Sequence, residues 1–166
     1  MNAEELAEIA EKHSGFVYNV AYRMMGNHHD AEEVAQEAFV SAYKARDRFR
    51  GDAMPTTWLY RITVNAALMR IRKDKRGKEM TVSEEFRADV ASSNWAESPV
   101  AATMNAELGD RIQVAIGELP EDLRVAVVLR DVQGLSNHKA ADALDVSVSA
   151  LKARLHHDRL ALRDSL

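Results

Sequence analysis

The chain of 166 residues contains no cysteine, only three prolines and seven glycines, and 6% aromatic residues. Without cysteine it has no disulfide, no thiolate zinc site and no cysteine nucleophile, which fits a reducing cytosol. No apolar run approaches the length that crosses a bilayer, and the acidic amino terminus lacks the apolar segment of a signal peptide. The sequence therefore predicts a cytoplasmic protein with no membrane contact of its own.

An excess of basic charge is also missing. The chain has 22 basic and 26 acidic residues, which gives a formal net charge of −4. A protein that binds nucleic acid alone and without sequence preference is usually basic overall. Any contact with DNA must therefore be local, and we expect a partner protein to assist it.

Apolar residues recur at helical spacing along most of the chain, and no segment alternates as a half-buried strand would. The periodicity is interrupted at residues 79–104, which contain Ser-Ser-Asn, Ser-Pro and several acidic residues. This composition is typical of a linker. We therefore predict an all-α protein with two small helical domains, at residues 1–78 and 105–166, joined by a flexible acidic linker.

The carboxy-terminal domain carries the pattern of a helix-turn-helix. Pro120 is expected in the first turn of one helix, and Gly134 allows the left-handed backbone that ends it. Ser136 can cap the next helix, which we expect at residues 137–144. A turn at residues 145–147 then precedes a longer basic helix. Short helix, tight turn and longer helix form the arrangement of many DNA-reading proteins.

The two faces of this last helix differ in character. Four leucines form its predicted inner face: Leu151, Leu155, Leu160 and Leu162. The outward face carries side chains that can reach phosphates and base edges: Ser149, Lys152, Arg154, His156, His157 and Arg159. A solvated amphipathic helix has the same periodicity, so this segment alone leaves both interpretations open.

The amino-terminal domain carries its charges in blocks. Acidic residues crowd the start of a helix that we expect to open at Asp30, with Val34 on its inner face. A second helix is expected to begin near Trp58, capped by Thr56 or Thr57. Its predicted buried stripe is Trp58, Leu59, Ile62, Ala66 and Met69. The segment from Arg70 to Lys78 is denser in basic residues than the helix dipole alone explains, and aromatic residues beside such charge suit a single DNA strand.

The sequence resembles the group IV, or extracytoplasmic-function (ECF), sigma factors of bacterial RNA polymerase. The resemblance to their region 2 lies in DAEEVAQEAFVSAYKARDRFRGD and TTWLYRITVNAALMRIRK. The resemblance to their region 4 lies in LPEDLRVAVVLRDVQGLS and the helix-turn-helix that follows. It implies a transcription initiation factor with no catalytic activity and no cofactor. The implied partners are bacterial core RNA polymerase, promoter DNA and a cognate anti-sigma factor that masks both domains.

The resemblance also assigns residues to three surfaces. Those implied to bind the coiled coil of the largest polymerase subunit are Asp30, Glu33, Val34, Gln36 and Glu37. Those implied to melt and hold the −10 element are Asp52, Ala53, Met54, Trp58, Tyr60, Arg61, Asn65, Arg70 and Lys73. The six polar residues of the last helix match positions that meet the −35 element. Asp158 departs from the family, which has a small residue there. This acid would repel phosphate unless it paired with Arg154 or accepted from a cytosine amine.

Two other classes of protein are compatible with parts of the sequence. A DNA-binding regulator that acts without polymerase explains the helix-turn-helix but gives the acidic helix no role. An enzyme or metal protein is disfavoured, because the pairs His28-His29 and His156-His157 are adjacent on helices and point about 100° apart. No metal site is therefore predicted. A protein-interaction module is a third interpretation, and it overlaps with the sigma-factor hypothesis.

Overall fold

The computed structural model describes residues 1–49, 51, 54–80 and 104–165. Regular structure in these ranges is entirely helical, which confirms the all-α prediction. The seven α-helices are α1 Ala3–Met25, α2 His28–Ala45, α3 Pro55–Met80, α4 Met104–Glu118, α5 Glu121–Val127, α6 Asn137–Leu144 and α7 Val148–Ser165. A short 3-10 turn at Arg46–Arg48 follows α2, and a π-helical turn at Val128–Val132 extends α5.

Helices α1, α2 and α3 form the amino-terminal bundle. Asn2 caps α1 by accepting a hydrogen bond from the backbone N–H of Glu5 at 2.8 Å. Gly26 ends this helix with a φ of 88°, a left-handed conformation that favours glycine. Asn27 then caps α2, because its side chain accepts from the N–H of Asp30 at 2.9 Å. The second helix therefore begins at His28, two residues before the expected start.

The core of the bundle follows the predicted helical spacing on α2 and only partly on α3. Val34 is fully buried, as predicted, and so are Ala38 and Ala42, which follow it at intervals of four residues. On α3, Leu59 is fully buried, but Met69 is 67% exposed and does not belong to the buried stripe. The threonine cap was also a wrong prediction, because the helix begins at Pro55, whose missing N–H suits the first position of a helix.

The carboxy-terminal domain is the helix-turn-helix that the sequence predicts. Gly134 has a φ of 78° before the turn, and Ser136 caps α6 through a bond from the N–H of Lys139 at 3.1 Å. Helix α6 spans Asn137–Leu144 as expected. Pro120 lies one residue before α5 rather than in its first turn. The π-helical turn that follows α5 has no signal in the sequence pattern.

The two domains contact each other. Arg124 of α5 donates to the carbonyl of Met24 at the end of α1 at 2.8 Å. Gln113 of α4 donates to the carbonyl of Arg23 at 3.2 Å and accepts from its guanidinium at 3.2 Å. The buried apolar residues of both domains form one continuous cluster. The carboxy-terminal domain is therefore packed directly on the amino-terminal bundle.

Asp158 of α7 is fully buried, which corrects its expected position near DNA phosphate. Neither of its carboxylate oxygens has a hydrogen-bond partner among the described residues, and no bond to Arg154 forms. Burial and the nearby charge of Asp131 raise the pKa of Asp158 to about 7, against the smaller opposing effects of Arg154 and Arg159. An unpaired buried carboxyl costs stability, more so when it is ionised.

We predict that Asp158→Asn stabilises the protein above neutral pH by about 1–3 kcal/mol. The protonated form of Asp158 is favoured in the folded state, so wild-type stability falls as pH rises from 3.8 towards about 7. The variant should lack this part of the pH dependence. Chemical denaturation across this pH range is the measurement, and Asp164→Asn on the exposed side of α7 is the matched control. A variant less stable than wild type above neutrality would contradict the prediction.

Candidate polymerase and DNA interfaces

An open groove of about 750 Å³ runs between α2 and α3. Its rim carries charges of both signs, with Glu33 and Glu37 of α2 beside Lys44, Arg70 and Lys73. Two exposed apolar residues also line it, Val40 at 51% and Met69 at 67% exposure. The groove is lined by Glu33, Gln36, Glu37, Val40, Ser41, Lys44, Ala66, Met69, Arg70 and Lys73. We call this surface the α2/α3 groove. Both acids were predicted from the sequence, whereas Val40 was not, although it lies four residues after Gln36 on the same helix face.

Arg70 ties the two helices together at this groove. Its guanidinium donates to Asp30 at 3.0 Å and to Glu33 at 2.7 Å, and it lies 3.5 Å from Asp74. The side chain of Arg70 is only 19% exposed. The resemblance assigned Arg70 to DNA and both acids of α2 to polymerase, but the structure brings all three together in one ion-pair cluster. In this position the guanidinium of Arg70 binds carboxylates of α2 rather than the phosphates of a DNA strand.

Ligand atoms of His29, Asp30 and Glu33 lie within 4.8 Å of one another, a spacing compatible with a metal ion. However, both carboxylates already pair with Arg70, and Glu33 also has His29 at 3.6 Å. The hydrogen bond from Arg70 and its positive charge hold the pKa of Glu33 below its ordinary value. A cation would have to compete with the guanidinium, so this cluster is an ion-pair network.

Two further assignments from the resemblance are corrected by burial. Val34 is fully buried, so it stabilises α2 from within and cannot contact polymerase directly. Tyr60 is only 9% exposed, and its ring stacks on Phe16 with a centroid distance of 3.9 Å. Its hydroxyl also forms a hydrogen bond with His13 at 3.2 Å. Tyr60 is therefore a core residue whose ring is not available to a DNA base.

The remaining −10 residues lie on different parts of α3 and the segment before it. Asp52 and Ala53 lie outside the described residues, and Met54 is 60% exposed. Trp58 is half-buried against Phe49, with a centroid distance of 5.3 Å. Lys73 lines the α2/α3 groove, whereas Arg61 and Asn65 face the carboxy-terminal domain. The described −10 residues therefore do not lie together on one surface.

Four of the predicted −35 residues form a single stripe on α7. At about 100° per residue, Ser149, Lys152, His156 and Arg159 fall within about 80° of one another. All four are exposed. We call them the reading stripe. Arg159 is also paired with Asp131 at 2.9 Å, which holds it against the π-helical turn that follows α5. Arg163 continues the stripe and is exposed, and the sequence analysis missed it.

The other two predicted −35 residues lie off the stripe. His157 is displaced by about 100° from its neighbour His156, and Arg154 lies on nearly the opposite side of the helix. Arg154 lines a cavity of about 310 Å³ between the two domains, together with Arg61 and Asn65. Leu160 was expected inside but is 40% exposed, because it falls close to the stripe. The inner face consists of Leu151, Leu155 and Asp158, with Leu162 partly buried beside them.

Comparison with known families identifies this arrangement. Residues 9–77 match the model described as Sigma-70 region 2, and residues 109–162 match the one described as Sigma-70, region 4. Together, these two matches on a helical bundle and a helix-turn-helix unit define a transcription initiation factor of the sigma-70 type. More narrowly, the chain belongs to the ECF RNA polymerase sigma factors. It is 35% identical to the ECF sigma factor SigW of Bacillus subtilis over 98% of this chain and 89% of that protein.

Other relatives agree. The chain is 33% identical to the ECF sigma factor SigE of Mycolicibacterium smegmatis, over 96% of this chain and 60% of that protein. The fold is similar to that of CnrH in complex with the cytosolic domain of CnrY, with a TM-score of 0.69, 24% identity and coverage of 98% and 88%. It is also similar to the sigma factor RpoE of Bartonella quintana in complex with the anti-sigma factor NepR, with a TM-score of 0.69, 19% identity and coverage of 98% and 94%.

Membership of this family confirms the main functional prediction. The protein is a non-enzymatic factor that binds core RNA polymerase and promoter DNA to initiate transcription. Among the described helices, none is both long and apolar enough to cross a membrane.

We predict that Arg70→Ala raises the pKa of the Glu33 carboxyl towards its ordinary range. The hydrogen bond from Arg70 is the largest cause of the depressed pKa, and Lys73 is the smallest. Lys73→Ala is therefore the matched control and should change this pKa much less. Titration of the glutamate carboxyl carbons by NMR gives both values. An unchanged Glu33 pKa in Arg70→Ala would contradict the ion-pair cluster.

Proposed function

We propose that the α2/α3 groove is the surface that docks on the coiled coil of the largest polymerase subunit. The supporting observation is that this groove combines exposed apolar residues, Val40 and Met69, with a rim of charged residues of both signs. Exposed apolar residues rimmed by charge are typical of protein-binding sites. The acids Glu33 and Glu37 can attract basic residues of the partner, and the ion pairs of Arg70 keep α2 in place. Val34 supports this surface from the core.

We assign the capture of the −10 strand to the side of α3 that carries Arg61 and Asn65. Asn65 is exposed, and its amide can pair with the edge of an unstacked base. Arg61 can reach a phosphate or stack on a base when its present bonds are broken. Met54 and Trp58 lie at the start of the same helix and extend this surface. Base extrusion costs a few kcal/mol, which these contacts must offset.

We assign the −35 element to the reading stripe of α7. Its four residues are exposed on one side of a helix that follows the turn of a helix-turn-helix, where such a helix enters the major groove. Lys152 has a long side chain that can reach base edges or phosphates. Arg159 is held by Asp131 and is better placed to contact phosphate at the edge of the site. Arg154 faces the other domain and is assigned no base contact.

We expect control by an anti-sigma factor in the cytoplasm, where transcription takes place. The similar folds of CnrH and RpoE were solved with the CnrY cytosolic domain and the anti-sigma factor NepR, respectively. This chain exposes Val40, Tyr43 and Met69 on α2 and α3. Phe39, the residue before Val40 on α2, is half-buried. An inhibitor that covers this surface would exclude polymerase by direct competition.

Glu37→Lys should weaken binding to bacterial core polymerase, chiefly by slowing association roughly tenfold at low salt. Raising the salt concentration should shrink this difference, because the charges are exposed. Glu32→Lys makes the same charge change on α2 outside the groove and is the matched control. Surface plasmon resonance with immobilised core enzyme measures both rates. Equal association rates for the two variants would show that the groove is not part of the polymerase interface.

Variants of the two DNA-binding surfaces should be defective on different promoter templates. Lys152→Ala should cost about 1–3 kcal/mol of promoter binding if Lys152 contacts a base, whereas His157→Ala off the stripe should cost less. Asn65→Ala should reduce open complexes on duplex promoters and matter less on templates already opened at −10. Reconstituted holoenzymes are compared on both templates, with core binding as the control. The assignment of surfaces is wrong if Lys152→Ala and Asn65→Ala are equally defective on both.

A further inference from the structure

We propose that Asp131 is a positioning residue for the −35 element. It holds Arg159 in one geometry and thereby raises the preference of the protein for a promoter over unrelated DNA. This inference rests on the proposed function, which assigns the reading stripe of α7 to the −35 element. Three features of the molecule support it: the backbone around Asp131, the geometry of its ion pair and the charges nearby.

Asp131 lies in the π-helical turn at Val128–Val132 that extends α5. The N–H of Gln133 donates to the carbonyl of Val128, five residues earlier, at 2.9 Å. Such a turn holds one residue more than an α-helical turn, so it shifts the side chains beyond it by about 100° around the helix axis. Turns of this kind are rare and are frequent at functional sites.

Two adjacent side chains of this turn bond to the two helices of the helix-turn-helix. Arg130 donates through Nε to the side-chain oxygen of Asn137, the first residue of α6, at 2.7 Å. Asp131 accepts from Arg159, which lies in the second half of α7. The π-helical turn therefore holds a side chain on each of the two helices, and the one on α7 belongs to the reading stripe.

The ion pair occupies one edge of the Arg159 guanidinium and leaves the other edge free. Nη2 donates to Oδ1 of Asp131 at 2.9 Å, and Nε donates to Oδ2 at 3.4 Å. A guanidinium has five N–H groups, and the side chain of Arg159 is 59% exposed. The remaining N–H groups can therefore bind a phosphate while the ion pair persists. Because Asp131 restricts the rotamers of Arg159 before DNA arrives, the contact costs less side-chain entropy.

The charges around Asp131 argue against a role in stability alone. The carboxyl of Asp158 is fully buried, and neither of its oxygens has a hydrogen-bond partner among the described residues. Burial, and after it the charge of Asp131, raise the pKa of Asp158 to about 7. Asp131 therefore makes the ionised form of Asp158 less favourable, while an exposed ion pair with Arg159 stabilises the fold only slightly. The net benefit of Asp131 to folding is small.

An acid beside the reading stripe also weakens binding to unrelated DNA. Asp131 repels phosphate and neutralises Arg159, and phosphate contacts supply nearly all of the affinity for a non-specific sequence. On the −35 element, the fixed Arg159 keeps its phosphate contact and sets the register of α7. Specificity is the difference between these two affinities, so an acid that lowers the non-specific one increases it.

Asp131→Asn removes the charge but keeps the shape of the side chain. We expect its holoenzyme to bind unrelated duplex more tightly, with a steeper salt dependence, because Arg159 becomes free to bind any phosphate. Its preference for a promoter over the same fragment with a scrambled −35 element should fall about two- to fivefold. The promoter is enriched from a randomised library by wild-type holoenzyme, and competition binding gives the preference. Asp142→Asn removes the same charge from an exposed residue of α6 and is the matched control.

A double variant tests whether Asp131 acts through Arg159. In an Arg159→Ala background, Asp131→Asn should no longer change the preference, because the positioned side chain is absent. A loss of stability alone would lower both affinities equally and leave the preference unchanged. An unchanged preference in Asp131→Asn, or an equal loss in the Arg159→Ala background, would overturn the positioning role. Lys152→Ala tests the reading stripe separately, and a full preference in this variant would overturn the proposed −35 function itself.

Discussion

Close packing around α2 determines the shape of the first domain. The inner face of this helix consists of small side chains, and Ala31, Val34, Ala38 and Ala42 are all fully buried. Small residues at a helix contact allow the axes to approach closely. As a result, Arg70 of α3 donates hydrogen bonds to Asp30 and Glu33 of α2. The groove between the two helices is lined by Glu33 and Glu37 from α2 and by Met69 from α3. Larger side chains on α2 would separate the helices and widen the groove.

Much of this fold could be predicted from local patterns, because helix caps and helical spacing depend on neighbouring residues. Gly134 has the expected left-handed backbone after the preceding helix, and Ser136 caps α6 as expected. The errors on α7 also have a local reason. Leu151, Leu155 and Asp158 follow the spacing i, i+4, i+7 of a buried face, whereas Leu160 does not. Strict use of the spacing would have placed Asp158 inside and Leu160 outside. Asp158 was expected to be exposed because charged side chains usually lie in solvent, and this expectation was wrong.

The candidate site was harder to predict, because its contacts join residues that are far apart in the sequence. The stacking of Tyr60 on Phe16 and the bond from Arg61 to Asp142 depend on how helices and domains pack. Tyr60 shares the buried spacing i, i+4, i+7 with Val64 and Ala67, whereas Asn65 lies off this stripe and is exposed. The family resemblance identified the helices that matter, while the structure was needed to assign their residues to separate faces.

The basic reading stripe is a local feature of a chain whose net charge is −4. Lys152, Arg159 and Arg163 lie on a helix of the carboxy-terminal domain, while acidic residues elsewhere in the chain outnumber the basic ones. At long range a DNA duplex repels such a molecule, and only at short range does the reading stripe feel attraction. Non-specific accumulation along the chromosome is therefore weak, and salt affects it little compared with a basic protein. The charge distribution thus leaves the free factor in solution, where polymerase can encounter it.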